Sequence, residues 1–453
     1  MANREQGPWR TTPSRRHSLI LRTVSSEWKM TEKTRQRGRT RNSKGYFSSF
    51  ERNDAVRRPG STLRPLLGNN MTSNTPIAPV ALPDTRARQT LEKLLEGSGV
   101  TLNGNQPWDI RVHHPDLFSR VVRQGSIGFG EAYMDGWWEC DRIDEMIHRL
   151  LRHGLGTVAH TTTERIVYKL QSTFMNLQSK ARAYIVGKEH YDFGNDLFTR
   201  MLDETLCYSC GYWKEARTLH EAQVAKLDLA CRKLDLEPGM RVLDIGCGWA
   251  SFAEHAARQY GVEVTGITIS EEQAKLGRER CAGLPVEILL EDYRELSGEF
   301  DRIVSIGMFE HVGQRNYATY FDTVKRLLKP GGLFVLHTIG SNTNEVSIDP
   351  WINKYIFPNG ILPSIQQVAD ASEGKLIMED WQNFGADYDT TLMAWQENLL
   401  AHWHEIADHY GERVKRMFLY YLGSCAGAFR ARDLQLWQVV YSNGRGGRYD
   451  SPR

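Results

Sequence analysis

The chemistry of this chain starts in residues 242–251, Val-Leu-Asp-Ile-Gly-Cys-Gly-Trp-Ala-Ser, where an apolar run breaks into a glycine turn. Gly246 and Gly248 let the backbone approach a ligand with no Cβ in the way. A dinucleotide site would carry a third glycine where Ser251 stands and would face a pyrophosphate with a helix N-terminus. Asp244 sits badly beside a pyrophosphate and suits a ligand with a cationic amino acid portion. Glu310 and His311 close a later apolar run, a position that reads either as an active-site pair or as structure. His337, inside another such run, reads as a chemical group or as a satisfied core histidine. Cys207 and Cys210 form a C-x-x-C, but no second pair stands at metal-ligand spacing, so no metal site is expected.

These residues need elements to hold them. Strands are expected over 241–245, 262–269, 286–290, 300–306 and 333–338, with helices over 251–260 and 271–283; this alternation predicts a parallel α/β sheet. A long helical stretch over 390–431 precedes a last strand over 434–442. With Asp244 in the turn, this order resembles the class I methyltransferases, whose cofactor is S-adenosylmethionine. Cys247 and Trp249 complete the turn. A ligand at that sheet edge also meets Thr268, Ile269, Ser270 and Gln273 after the second strand, and Asp292 and Tyr293 after the third. The carboxylate that commonly holds ribose hydroxyls in that superfamily is missing, a departure for which Gln273 is the candidate substitute; Asp292 is the candidate to accept the adenine amino hydrogens and Tyr293 to stack. Each of these also reads as ordinary loop polarity.

Before the sheet, a helix is expected over 85–97, a strand over 108–112, a glycine turn over 125–130, an aromatic run over 133–138 and a helix over 142–152. That last helix reads as a core-packing face or as a basic amphipathic surface for an anionic membrane. Residues 157–163 read as a linker and 164–187 as a helical connection.

Among 453 residues, 40% hydrophobic, with a mean hydropathy of −0.49, no apolar run approaches the roughly 18 residues of a spanning helix. Seven scattered cysteines argue against a disulfide framework and for a reducing, cytoplasmic setting. The first 70 residues hold sixteen Lys and Arg against five Asp and Glu, a net +11, and the totals of 57 basic and 55 acidic residues leave about −9 beyond Asn70. This stretch is too poor in clustered aliphatics to offset chain entropy, and disorder is expected. It reads as a nucleic-acid or lipid-binding arm, as a targeting peptide, or as translated leader before Met71.

Residues 187–196 (Gly-Lys-Glu-His-Tyr-Asp-Phe-Gly-Asn-Asp), 208–213 (Tyr-Ser-Cys-Gly-Tyr-Trp), 307–313 (Gly-Met-Phe-Glu-His-Val-Gly), 336–340, 350–360 and 383–389 together resemble the bacterial cyclopropane fatty acid synthases, over about 84–441. The resemblance implies a seven-stranded methyltransferase sheet over 187–453, preceded by a small helix-rich N-terminal domain (84–158) and a helical linker (159–186); the basic disordered extension (1–83) read from composition has, before Met71, no counterpart in the family pattern, which favours the leader reading. It implies transfer of a methylene group from S-adenosylmethionine to a cis double bond of an unsaturated acyl chain in a membrane phospholipid, with bound bicarbonate as base. The residues matching the bicarbonate site are Cys210, Glu310, His337, Ile339 and Tyr388. Tyr208 and Ser209 match cofactor-contacting positions, and His190, Tyr191, Asp192, Asn195 and Asp196 match a motif whose role the residues do not fix. A homodimer touching the inner face of the membrane is expected, through Arg149 and Arg152 or Arg430 and Arg432, with no nucleic acid bound. The rivals are a lipid C-methyltransferase giving a methyl-branched or methylene product, and a binding protein whose basic arm holds nucleic acid.

Overall fold

The computed structural model describes residues 82–155, 194–344 and 348–453, all within the compact unit Thr75–Arg453. The basic stretch over 1–70, the linker over 157–163, the helical connection over 164–187, and His190, Tyr191 and Asp192 lie outside the described residues.

Chain order begins with α1 (Arg86–Leu95), β1 (Arg111–Val112), α2 (Leu117–Met134), β2 (Trp138–Glu139) and α3 (Ile143–Arg152). Thr85 caps α1 by accepting from the Arg88 amide, and Leu91 turns into the core. The glycine turn expected over 125–130 is instead the interior of α2, which runs through it with a kink at Gly125 (φ 56°, ψ −135°). Only glycine adopts that conformation freely, so the helix bends there without ending.

The second part contains α4 (Gly194–Met201), α5 (Leu219–Lys233), β3 (Arg241–Ile245), α6 (Ser251–Tyr260), β4 (Glu263–Thr268), α7 (Glu271–Arg280), β5 (Val286–Leu290), β6 (Phe300–Ile306), α8 (Tyr317–Leu327), β7 (Leu328–Ser341), α9 (Pro350–Tyr355), α10 (Ile365–Ser372), β8 (Ile377–Asn383), α11 (Ala386–His402), α12 (Ala407–Arg430) and β9 (Leu434–Ser442). The strands form one seven-stranded sheet in the order β5-β4-β3-β6-β7-β9-β8, with β9 antiparallel to both neighbours. From β3 the chain moves outward to β4 and β5, then returns to the other side of β3 as β6. That reversal opens a crevice at the carboxyl end of β3, where the glycine turn lies. The helical stretch expected over 390–431 is two helices, α11 and α12, separated by a 3₁₀ turn at Trp403–Glu405.

The small N-terminal elements do not stand apart from the sheet unit. Gly423 and Gly427 on α12 leave room for α3: a Cβ on Gly423 would fall 2.9 Å from the Ile143 Cβ, and one on Gly427 2.5 Å from the Asp144 carbonyl oxygen. One turn further on, Arg430 clamps the contact. Its guanidinium reaches Asp144 at 2.7 Å and Glu145 at 3.3 Å on α3, and Asp389 on α11 at 2.8 Å. Burial alone would raise the Asp144 carboxyl; hydrogen bonds from Arg142 and Arg430 outweigh it and hold the group below its ordinary range. Arg430 is therefore a link inside the protein and not a membrane-facing cation. Arg149 is also engaged, 2.8 Å from Glu145 and 3.9 Å above the Trp108 ring.

Removing the Arg430 charge strands carboxylates already out of water. Arg430→Met should lower the unfolding free energy by about 2 kcal/mol, below the full value for a wholly buried pair because Arg430 is a quarter exposed and Arg142 still holds Asp144. Urea titration checks this, and a loss under about 0.5 kcal/mol would mean that the clamp carries little of the contact.

Candidate active site

The turn after β3 is built as its residue types require. Gly246 (φ 81°) and Gly248 (φ 55°) both lie in the left-handed region, and a Cβ on Gly246 would meet the Met308 side chain at 2.6 Å. The amides of Gly246 and Cys247 both donate to the Ile267 carbonyl on β4, at 3.0 and 2.9 Å, fixing the turn over the sheet edge. The Trp249 indole donates to Asn195 Oδ1 at 3.0 Å, so Asn195 holds the far side of the turn.

All thirteen cofactor residues expected from the sequence line one cavity over this turn: Tyr208, Ser209, Asp244, Gly246, Cys247, Gly248, Trp249, Thr268, Ile269, Ser270, Gln273, Asp292 and Tyr293. Thr268 donates to the Gln273 amide oxygen at 2.9 Å, and Ser270 caps α7 through the Gln273 amide. Asp292 is gripped by Arg294 at 2.5 and 2.8 Å. Tyr208 donates to the Tyr421 hydroxyl at 3.0 Å.

Lys226 was not among the expected residues. Its side chain is fully buried, lines the cavity and donates to Ser209 Oγ at 2.9 Å. Its signal was present in the sequence: Leu219, Gln223, Lys226, Ala230 and Lys233 recur at helical spacing on α5 and all turn inward. Asp244 lies on β3 with Oδ2 buried and unpartnered. Burial pushes its carboxyl up to about 7, against the pull of Lys226. An orphaned acid beside glycine backbone fits a ligand that brings a positive charge, as the methionine portion of S-adenosylmethionine does.

Behind this cavity lie the five residues expected to do chemistry. Glu310 accepts the Ile339 amide on Oε1 at 2.7 Å, while Oε2 is buried without a partner. Burial pushes this carboxyl up to about 7, outweighing the Ile339 hydrogen bond. Cys210 is wholly buried, with Thr391 Oγ1 3.9 Å from its sulfur, and burial pushes its thiol far up. Tyr388 is buried and pushed up in the same way, close enough to feel both Cys210 and Glu310. His337 stands two residues before Ile339 on β7, its Nε2 buried and unpartnered; burial, then Lys226 and Lys233, keep the ring neutral. His311, also in the cavity wall, is held neutral by burial. Cys425 offers no thiolate either, since burial pushes it up to about 12. The result is a buried wall whose groups burial shifts toward their neutral forms, with two unspent polar atoms.

A family model described as mycolic acid cyclopropane synthetase matches residues 178–439. The chain belongs to that family. A cyclopropane-fatty-acyl-phospholipid synthase of Escherichia coli K12 is 59% identical over 372 residues, covering 82% of this chain and 97% of the relative. A probable fatty acid methyltransferase of Pseudomonas putida is 34% identical, covering 77% and 90%. The solved cyclopropane synthase MmaA2 of Mycobacterium tuberculosis superposes with a TM-score of 0.55 at 34% identity, over 59% of this chain and all of that one. As a member of the mycolic acid cyclopropane synthetase family, the chain carries the class I methyltransferase sheet expected of it.

A raised carboxyl has a definite pH signature. The folded form of Glu310 holds its proton up to about pH 7, while the unfolded group releases it near pH 4.3, so the native state binds more protons between those values and stability falls as pH rises through that window. The deficit above pH 7 is on the order of 3 kcal/mol. Glu310→Gln keeps the acceptor for Ile339 and removes the deficit. The ligand-free variant should melt higher than wild type at pH 8 and close to it at pH 4.5; equal differences at both values in a calorimetric scan would contradict the buried, neutral carboxyl.

Proposed function

We propose that this protein transfers a methylene group from S-adenosylmethionine to the cis double bond of an unsaturated phospholipid acyl chain, forming a cyclopropane ring, with bicarbonate held as the base. The observation that carries the reading is the pair of buried, unpartnered atoms Glu310 Oε2 and His337 Nε2 behind a cavity floored by the Asp244 turn. S-adenosylmethionine supplies an electrophilic methyl carbon, and bicarbonate the base for the proton that leaves it. Thr268, Gln273, Asp292 and Tyr293 hold the nucleoside portion, and Asp244 with the Gly246 and Gly248 backbone holds the amino acid portion.

Glu310 in its neutral form donates from Oε2, and His337 from its ring, so an anion is gripped by donors rather than repelled. The Cys210 and Ile339 backbone and the Tyr388 hydroxyl complete the cradle. With Glu310 protonated, none of these side chains competes as a counter-ion for the cationic carbon that the alkene becomes, and the Tyr388 ring face is suited to stabilise it. Fixing the base beside the reacting methyl supplies the rate advantage of orientation. Transfer of a whole methyl group fits the same sheet, but the 34% identity to the probable fatty acid methyltransferase of Pseudomonas putida stands well below the 59% to the Escherichia coli synthase.

Among the described residues no helix is long and apolar enough to cross a membrane. The phospholipid of the proposed reaction is met at the bilayer surface in this reading, and Arg152, exposed beside His148, Arg149 and His153 at a polar cavity of the small N-terminal elements, is the face we assign to it. The division of the chain at 84–158 and 187–453 and a homodimeric state belong to the same proposal; sedimentation reads the latter.

Incubating the protein with vesicles of unsaturated phospholipid and methyl-labelled S-adenosylmethionine should place the label in a cyclopropane ring, identified by mass and proton spectra. Product should fall when bicarbonate is removed, and roughly 10²-fold or more with Glu310→Gln. Label in a methyl branch would overturn the reading. Arg152→Glu should lower flotation with anionic vesicles; unchanged flotation removes that face from the proposal.

A further inference from the structure

His337 does not end at the active site. On its other side lies a row of polar side chains that crosses the last three strands. Gln438 on β9 is the register partner of His337 on β7, and Gln382 on β8 is the register partner of Gln438. Directly paired residues on adjacent strands project from the same face, so the three side chains lie abreast. Gln438 Nε2 sits 3.3 Å from His337 Nδ1, and both residues are wholly buried. At the outer end Lys233, also wholly buried on α5, donates to Gln382 Oε1 at 2.6 Å and stands 3.9 Å from Asp380. No group in this row lines the cofactor cavity.

The chemistry of the inner pair gives it a direction. At the outer end the Lys233 amine takes the Gln382 carbonyl, and Gln438 meets the imidazole by itself. The Gln438 carbonyl oxygen is buried without a hydrogen-bond partner, and its amide nitrogen faces the imidazole. A carboxamide N–H pointing at a ring nitrogen requires that nitrogen to be bare. Nδ1 of His337 then carries no proton, and the single proton of the neutral ring sits on Nε2, the atom left without a partner on the active-site side. The burial and the two lysines that keep this ring neutral act in the same sense, because a doubly protonated ring would have no acceptor for Gln438.

We infer that Gln438, placed opposite His337 by the strand register, is a positioning residue that fixes the His337 tautomer with Nε2–H aimed into the active site. The arrangement does for an anion what outer-shell partners do for a metal-bound histidine: it decides which ring nitrogen is the donor. The wrong tautomer would present a lone pair to an anionic base and repel it. This inference rests on the activity proposed above, and the test separates the two.

The full-length protein is labelled with ring-¹⁵N histidine, and the His337 signals are assigned by their loss in His337→Asn. Wild type should show an unprotonated Nδ1 and a protonated Nε2. Gln438→Glu offers a carboxylate acceptor and should reverse the pattern; Gln438→Met, of similar length and without a donor, should leave the two forms mixed and guards against misfolding of the first variant. In both, kcat should fall roughly 10–100-fold, while KM for S-adenosylmethionine stays within about twofold, a split that general loosening of the fold would not give. A protonated Nδ1 in wild type, or turnover within about twofold of wild type in both variants, overturns the inference. A wild-type protein that makes no cyclopropane overturns the activity reading instead, and the ¹⁵N spectrum still decides the tautomer.

Discussion

A carboxyl group removed from water on every side has to be neutral, paired or ready for a ligand, and this site is arranged around two such groups. Asp244 and Glu310 each have an oxygen with no hydrogen-bond partner, and burial lifts both to about 7. The cost of holding them there is justified only if something arrives. The proposed activity would match the two to opposite arrivals: Asp244, beside the glycine turn, to a positive charge, and Glu310, backed by the Ile339 amide, to an anion that needs a donor. Sheet topology keeps them apart yet close, since β3 carries Asp244 and its neighbour β6 runs out just before Glu310. The reversal of strand order at β3 supplies the crevice they share.

Helix α5 does more than cover one face of the sheet. Its inward stripe holds Gln223, Lys226 and Lys233 where a packing helix would carry only apolar residues. Gln223 donates to the Ser209 carbonyl and Lys226 to the Ser209 hydroxyl, so the loop ending at Cys210 is shaped from behind by this helix. Lys233, with its amine pushed down to about 7 by burial, serves the far edge of the same surface. One helix thus sets the electrostatics of both the cofactor cavity and the wall behind it. A substitution on α5 would change chemistry without touching a reacting atom.

What could be read from the sequence follows from how locally each feature is determined. The turn over 242–251 needs two glycines in left-handed conformations, a requirement that leaves its mark in the residues, and the expected strands form around it with the thirteen expected residues lining one cavity. The kinked α2 was not legible, because Gly125 and its neighbours carry the same glycines whether a helix bends or ends. Strand β8 was missed for a different reason: Glu379, Asp380 and Gln382 give it the composition of a loop, and it is a strand because β9 lies beside it as a template. Lys226 and Lys233 share a helical stripe with Leu219 and Ala230, a signal present in the sequence, but what that stripe packs against comes only from the fold. Arg430 was read as a surface cation because acidic partners such as Asp389 and Glu145 come from 41 and 285 residues away along the chain.

The antiparallel insertion of β9 between β7 and β8 now has a chemical as well as a topological consequence. Were β7 the edge of a purely parallel sheet, His337 would have solvent or a helix on its outer side, and either would leave its tautomer free or set by chance. With β9 paired along β7 from Leu333 to Ser341, the residue opposite His337 is fixed by register, and that residue is Gln438. A slip of one residue would replace it with Val439 or Trp437 and turn the side-chain alternation over. The register is pinned from both ends. Asn443 donates to the Leu328 carbonyl at one end, and at the other Gly340 leaves the space filled by the Trp437 ring, which a Cβ would enter at 2.1 Å. Packing against a tryptophan at one position thereby decides which side chain meets the imidazole three residues earlier on β7, which makes the last strand of the chain part of the active site rather than a closing element.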